Sequence, residues 1–428
     1  MARDVPRHNW AVLALLTTLF ALAGIDRSLV SILAEPIKHA FSLSDKQLGL
    51  VTGLAFAIPY VIAGVPVGLM IDRVNRMRTS WLMVTLWSLA TIATSLVSTY
   101  PLLLATRAWL GAAESGVAPT FSSLVSDLFP KARRSTAMAL LYVSSPIGLT
   151  LGFSLGGLIA AHLGWRSAFV ISGALGIIVA LLLLAMREPE RGAYDDPAER
   201  PASEGPPPFR ALWPVFRGRP ALFWLIGAGS SVIAAQAGIG AFMAPFMMRV
   251  HGMAIAQAGL LIALAYGIGG IIGMPVGGYL ADWVKARLPG REMSVAVIAS
   301  ILAAVTAPLA FGVQDLRVAI VGLWLYSIFC VAGYGITFAS FTNELPATFR
   351  GAGIAILLIF QNLVGYGVGP GVAGWLSDSF KAAGSPQPLV PSLIILSTGF
   401  LLAAFCYWRA GRLIAARGVM IEAHAAAV

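Results

Sequence analysis

Charge is what this sequence has least of. Only 11% of its 428 residues are Asp, Glu, Lys or Arg, against 58% apolar. A water-soluble domain of this length cannot cover itself with so little polar surface, so that class is excluded. Cysteine is nearly absent. Cys330 and Cys406 both fall in apolar runs, which excludes a disulfide framework and fits buried packing. The five histidines, His8, His39, His162, His251 and His424, are scattered without metal-ligand spacing. No GxxxxGK[ST] or HExxH pattern occurs, so ATP-driven chemistry and metalloenzyme catalysis are not expected, and neither is a metal or cofactor. The formal net charge of +10 is spread through short segments. It makes no basic face with interleaved aromatics, so nucleic acid is not an expected partner.

What charge there is sits in telling places. The apolar run Leu102–Val125 carries Arg107 and Glu114, and the run Trp10–Leu33 carries Asp26 and Arg27. A charge at mid-membrane depth costs ~2.5–3.5 kcal/mol on insertion scales, so such groups are functional candidates by default. Arg107 and Glu114 are two helical turns apart on one face, about 10 Å along the axis. Asp26 and Arg27 point about 100° apart and cannot be each other's best partner. One natural arrangement pairs Asp26 or Glu114 with Arg107 and leaves Arg27 facing a cavity or an anionic group. Glu114, Asp26 and Arg107 are the candidates for proton coupling: desolvation and a nearby arginine pull a carboxyl in opposite directions. The plain alternative is a buried ion cluster that only locks the first and fourth helices.

Twelve apolar runs have bilayer-crossing length, the fourth being about 101–126. Trp10–Leu33 is too long for a signal-peptide core and reads as a retained first span. The stretch after the sixth run is rich in Pro, Glu, Arg and Asp and reads as a solvated linker. The expected division is an N-terminal bundle over 1–187, a cytoplasmic linker over 188–220, a C-terminal bundle over 221–412 and a tail over 413–428. With the N-terminus inside, 21 of the 29 Lys and Arg fall in inside segments. Six fall outside: Lys38, Lys46, Arg166, Arg249, Arg317 and Lys381. That bias places both ends in the cytoplasm.

The two halves repeat. Gly68-x-x-x-Asp72 recurs as Gly278-x-x-x-Asp282, and Leu128-Phe129-Pro130-x-x-x-Arg134 as Glu344-Leu345-Pro346-x-x-x-Arg350. The expected fold is therefore an all-α membrane protein with twelve transmembrane helices in two six-helix pseudo-repeats, the substrate site lying between repeats near mid-membrane. Asp72, Arg73, Arg76, Asp127, Arg134, Asp282, Glu344 and Arg350 sit at inner helix ends. They are the candidate cytoplasmic gate, expected to form inter-helix pairs and helix-terminus contacts.

The stretch Gly68 to Arg78 resembles the cytoplasmic loop motif of the major facilitator superfamily. Arg107-x-x-x-Gly111 resembles its fourth-helix motif, and Gly148, Gly152, Gly156 and Gly157 its Gly-rich fifth helix. Within that superfamily, three pieces resemble the Spinster family of lipid transporters: Asp26-Arg27, Arg107-x-x-x-Gly111-x-x-Glu114-Ser115, and Arg187-Glu188-Pro189-Glu190-Arg191-Gly192. Ala23 stands where that family usually has Asn, and Ala113 where it usually has Gly. Some organic-anion symporters share the Asp-Arg pair. What the Spinster resemblance implies is proton-linked movement of lysolipid or sphingoid-type amphiphiles.

The second half has no obvious mid-span charge. Most of its polar groups read as helix packing. The candidate substrate-binding residues are Arg27, Arg107, Tyr60, Gln236, Tyr334, Gln361 and Asn362. A cavity charged on one wall and apolar-aromatic on the other suits an amphiphile. The favoured reading is a proton-coupled carrier working by alternating access on a lysophospholipid or sphingoid phosphate, monomeric, with protons and membrane lipids as its other partners. A proton-linked carrier of small organic anions is the neighbouring alternative. A non-transporting scaffold or receptor is the distant one.

Overall fold

The computed structural model describes residues 5–71, 73–194 and 209–426. Asp72 of the candidate gate and most of the linker core lie outside the described residues. Among the described residues there is no strand. The first half runs α1 (Arg7–Ile32), α2 (Ala34–Phe41), α3 (Asp45–Thr52), α4 (Leu54–Met70), α5 (Arg76–Leu96), α6 (Tyr100–Glu114), α7 (Val117–Leu128), α8 (Lys131–Leu163) and α9 (Trp165–Leu184). α10 (Phe209–Gly218) belongs to the linker region. The second half runs α11 (Ala221–His251), α12 (Ile255–Arg287), α13 (Met293–Phe311), α14 (Leu316–Ala332), α15 (Tyr334–Asn343) and α16 (Arg350–Phe360). A π-helical stretch (Gln361–Val368) leads into α17 (Gly369–Ala382), followed by α18 (Leu389–Ser397) and α19 (Gly399–Ala426).

Eleven stretches are long and apolar enough to cross a bilayer. The twelfth crossing is the fourth run. Instead of the continuous helix expected over about 101–126 it is two pieces, α6 and α7, separated at Ser115–Gly116. The cause is Pro119. A proline lacks the N–H that would bond the carbonyl four residues back, and its ring crowds that carbonyl, here Ser115. Pro370 stands in the same relation to Tyr366, inside the π-helical stretch, where a wider turn relieves the crowding. α5 starts where it does because the Asn75 side chain accepts from the Arg78 amide at 2.8 Å.

The contacts divide the chain into two units, each described here by itself. The first is Met1–Leu43, Leu50–Ser203 and Met243–Leu264; the second is Ser44–Gly49, Glu204–Phe242 and Ala265–Val428. In the first unit α1 packs along α8 and α9, α4 along α6, and α5 along α6 and α9. Small residues set these distances. A Cβ at Gly148 would collide with the Ala21 carbonyl oxygen, and one at Gly152 with Ser28 Oγ, so α1 and α8 approach backbone to backbone. The core between them is apolar and includes Leu16, Leu19, Trp87, Phe121 and Leu141. In the second unit α13 packs on α14 and α19, and α17 on α18. Leu96, Ile62, Ile178 and Ile271 stand more than 60% exposed, as side chains facing acyl chains do.

Candidate functional site

α1 brings Asp26 and Arg27 to the middle of the first unit. α6 brings Arg107, two turns earlier than Glu114, which is the last residue before the break. Arg27 Nε lies 3.1 Å from Glu114 Oε1. The arginine side chain is 36% exposed and the carboxylate 2%. Glu114 Oε2 accepts no hydrogen bond. Asp26, 3% exposed, takes its hydrogen bond from Ser172 Oγ of α9 at 2.7 Å. Arg107 is buried, and its Nε has no hydrogen-bond partner.

The expected pairing is therefore corrected. Glu114 pairs with Arg27, not Arg107, and Asp26 is held by a hydroxyl. The reason lies in direction. Side chains on a helix lean toward its N-terminus, and on α6 that leaves Arg107 and Glu114 displaced along the axis. Arg27 reaches Glu114 sideways from α1. Arg107 instead lies over the Phe56 ring, 5.6 Å from its centroid. Arg27 lies 5.7 Å from the Phe56 and Tyr60 centroids. Phe56 and Tyr60 stack at 5.5 Å. One aromatic ring thus serves two guanidinium groups, and each contact offsets part of the cost of taking a cation out of water.

Beside this cluster is a cavity of about 60 Å³, lined among others by Phe20, Gly24, Arg27, Tyr60, Glu114 and Ser145. It has room for a few waters or a small polar group. Its lining combines the Arg27–Glu114 pair with aromatic and aliphatic side chains.

The linker-side end of the first unit holds a second charged network. Arg76 is 1% exposed. It binds Asp127 Oδ2 at 2.5 Å, Glu188 Oε1 at 3.1 Å and Ser123 Oγ at 2.9 Å. The Gly192 amide donates to Asp127 Oδ1, and Arg191 donates to the carbonyls of Ile71 and Val74. The segment after α9 is thereby strapped across the end of α7 and the start of α5. Of the candidate gate residues, Arg76 and Asp127 come together. Arg73 is exposed, and Arg134 is half-buried at the start of α8. In the second unit Glu344 pairs with Arg417 at 3.2 Å, and its backbone carbonyl accepts from Arg219. With that carboxylate occupied, Asp282 and Arg350 stand exposed, and the structure brings neither to an ion-pair partner among the described residues.

The second unit places its candidates differently. Gln236 Nε2 lies 3.9 Å from Cys330 Sγ. Gln361 is 3% exposed, and its Nε2 has no partner. Asn362 donates back to the Leu358 carbonyl of its own helix, and Tyr334 packs on Phe338.

Phe56, Ser172 and Glu188 were not among the sequence candidates. Phe56 had a signal, standing one helical turn before Tyr60. Ser172 had none. Gly152-Phe153-Ser154-Leu155-Gly156 spells a GxSxG pattern, but it lies inside α8, where Ser154 Oγ bonds back to the Thr150 carbonyl. It is not the strand-to-helix turn that makes such a serine a nucleophile.

Bilayer-length helices in two repeats, with buried ionisable groups meeting at a broken helix, define a membrane transport protein rather than an enzyme. Comparison with known proteins agrees. Residues 16–370 match the Major Facilitator Superfamily, and the chain belongs to that family of transporters. It is 31% identical over 409 residues to an "MFS-type efflux pump" of Mycolicibacterium smegmatis, covering 95% of this chain and 94% of that one. It is 28% identical over 322 residues to "Protein spinster" of Drosophila melanogaster, covering 72% of this chain and 51% of that protein's length. Among solved structures it resembles a bacterial homologue of the human lysosomal transporter Spinster in an inward-facing, unoccupied conformation. The TM-score there is 0.85, with 26% identity over 96% of this chain and 98% of the other.

Proposed function

We propose that this transporter carries an amphiphile with an anionic head group, of the lysophospholipid or sphingoid-phosphate class, by alternating access and in company with a proton. The observation that supports this most is the charge balance of the buried cluster. Two arginines and two carboxylates cancel, and the Arg27–Glu114 pair borders the cavity. An anionic head group arriving at Arg27 leaves the cluster one charge negative in a low-dielectric site, and a proton on Glu114 removes that charge. Proton and anion thus favour each other's binding, and linkage makes the favour reciprocal. Arg27 and Arg107 receive the head group; Tyr60 and the second-half residues Gln236, Tyr334, Gln361 and Asn362 serve the rest of the substrate. The proposed topology has bundles over 1–187 and 221–412 and both ends in the cytoplasm, and the carrier works as a monomer. The candidate gate charges pair across the inner side when it closes.

Uptake of labelled lysophospholipid into proteoliposomes under an inward proton gradient tests this. Glu114→Gln is expected to keep substrate exchange and lose gradient-driven accumulation. Full accumulation by Glu114→Gln together with its loss in Asp26→Asn moves coupling to α1. Affinity is expected to rise with acyl length at constant head group, by up to ~0.8 kcal/mol per buried CH₂. Tight binding of short acids alone returns the small-anion reading.

The efflux pump of M. smegmatis favours a second reading. There a cationic or neutral amphiphile competes with protons for the carboxylates and leaves in exchange for them. Substrate expulsion, rather than accumulation, under the same inward gradient selects that reading.

A further inference from the structure

The linker-side end of the second unit carries arginines that nothing in the transport reading uses. α10 has apolar residues at helical spacing. Leu212 and Phe216 are buried, 1% and 4% exposed, and Phe216 packs edge-on against Phe223 and Phe341 at 5.5 and 6.3 Å. α10 is thereby held flat on the end of α11. Trp213 meets the same Phe223 at 6.2 Å but is itself 60% exposed. On α19, Phe405 and Trp408 are exposed as well, at 48% and 44%, and Phe405 packs 5.6 Å from Trp224, the residue next to Phe223. α11 and α19 belong to bilayer-crossing stretches, so these rings sit where such a stretch leaves the hydrocarbon. Exposed Trp at that depth marks the head-group region.

Two guanidinium groups cap the patch. Arg409 lies over Trp224 at 5.7 Å, and Arg412 over Trp408 at 5.2 Å. Among the described residues neither forms an ion pair. Stacking uses the face of a guanidinium and leaves its edge N–H groups free to donate, the geometry that grips a phosphate. Arg217, exposed at the end of α10, adds a third charge to the half-buried Arg409 and the exposed Arg412. No acidic residue occurs in the sequence from Phe209 to Leu280, nor from Ser379 to Ile421. Glu344, the acid at this end of the second unit, is paired with Arg417, so Arg217, Arg409 and Arg412 leave a net positive balance, and a zwitterionic head group, which brings its own cation, leaves it so.

We propose that α10 and the linker-side ends of α11 and α19 form a binding site for an anionic phospholipid of the surrounding bilayer. Arg409 and Arg412 hold the phosphate, Arg217 adds to the field, and Trp213 lies beside the glycerol backbone. The lipid holds α10 against the end of the bundle and so fixes where the linker leaves the membrane.

Native mass spectrometry of the full chain, released from micelles with equal phosphatidylglycerol and phosphatidylcholine of the same acyl length, tests this. The wild type is expected to retain phosphatidylglycerol at least about tenfold over phosphatidylcholine, since a basic residue at a lipid surface is worth about fivefold each. Arg409→Gln with Arg412→Gln is expected to lose most of that preference, and Arg409→Lys with Arg412→Lys to keep most of it. Arg317→Gln with Lys381→Gln removes the same charge at the other ends of the crossing helices and is expected to change nothing. Melting curves of all variants separate lost lipid from lost fold. Equal retention of both lipids by the wild type, an unchanged preference in the Gln pair, or an equal loss in the control pair overturns the proposal. So does a dimer that forms as lipid leaves, which assigns the patch to a second copy of the chain.

Discussion

Which arginine holds Glu114 is open to a direct test. Breaking a buried ion pair by removing one partner costs ~3–5 kcal/mol, because the remaining charge is stranded. Here the carboxylate is 2% exposed but Arg27 is 36% exposed. A pair separated by about 4 Å at an effective dielectric of about 20 is worth roughly 4 kcal/mol, and the exposed guanidinium lowers this to about 2–3 kcal/mol. Arg27→Gln is expected to lower the melting temperature in detergent by about 2–3 °C for a chain of this size. Glu114→Gln with Arg27→Gln is expected to recover most of that loss, since no charge is then left unpaired. Arg107→Gln is expected not to be rescued by Glu114→Gln, because Arg107 is 3% exposed and makes no ion pair with it. The assay is a double-mutant cycle on melting temperature under one lipid and detergent condition. Rescue of Arg107→Gln by Glu114→Gln, without rescue of Arg27→Gln, refutes the pairing.

Two further outcomes are expected. Arg76→Ala strands Asp127 and Glu188, and limited proteolysis of the segment 187–194 is expected to speed up at least several-fold. Arg76→Lys does not restore protection, because one ammonium cannot make four differently directed contacts; unchanged cleavage in Arg76→Ala sinks the strap. Gly148→Ala pushes a methyl into the Ala21 carbonyl and is expected to cost about 1–3 kcal/mol of stability, read as a lowered melting temperature; an unshifted melt means that α1 and α8 do not meet as closely as described.

The crossings and the repeat were legible because they rest on run length and on landmarks that recur at matched spacing. The break in the fourth crossing was written at Pro119, yet the surrounding run is apolar throughout, and hydropathy alone does not register a missing N–H. The pairing at the site was not legible. Spacing along α6 put Arg107 and Glu114 on one face, which is a statement about one helix. Arg27 reaches Glu114 from a different helix, α1, and no spacing rule along one helix carries that contact. Likewise Ser172 meets Asp26 from α9, across a separation that no local pattern spans. The gate set shows the same limit. Inner helix ends can be named from the chain, but Glu344 is committed to Arg417, a residue of the last helix that no motif pointed to.

The repeat itself says which parts of the site are architecture. The register that lays Gly68 and Asp72 on Gly278 and Asp282 lays Asp26 on Gln236 and Arg27 on Ala237. The register that lays Pro130 and Arg134 on Pro346 and Arg350 lays Arg107 on Leu323 and Glu114 on Cys330. In the second unit Gln236 meets Cys330 across α11 and α14 at 3.9 Å, at the positions that Asp26 and Glu114 hold on α1 and α6 in the first. The tenth crossing is broken as well, between α14 and α15 at Gly333, three residues beyond Cys330. The break and the inter-helix contact are therefore shared by both halves, while the charges belong to one. The discontinuous helix is common to both halves at these positions. Charge there is not, since an amide and a thiol stand at the Asp26 and Glu114 positions in the second half with no charge to desolvate. The charges in the first half exceed what packing requires, and that excess is the physical reason to look for the transported ligand and its proton there.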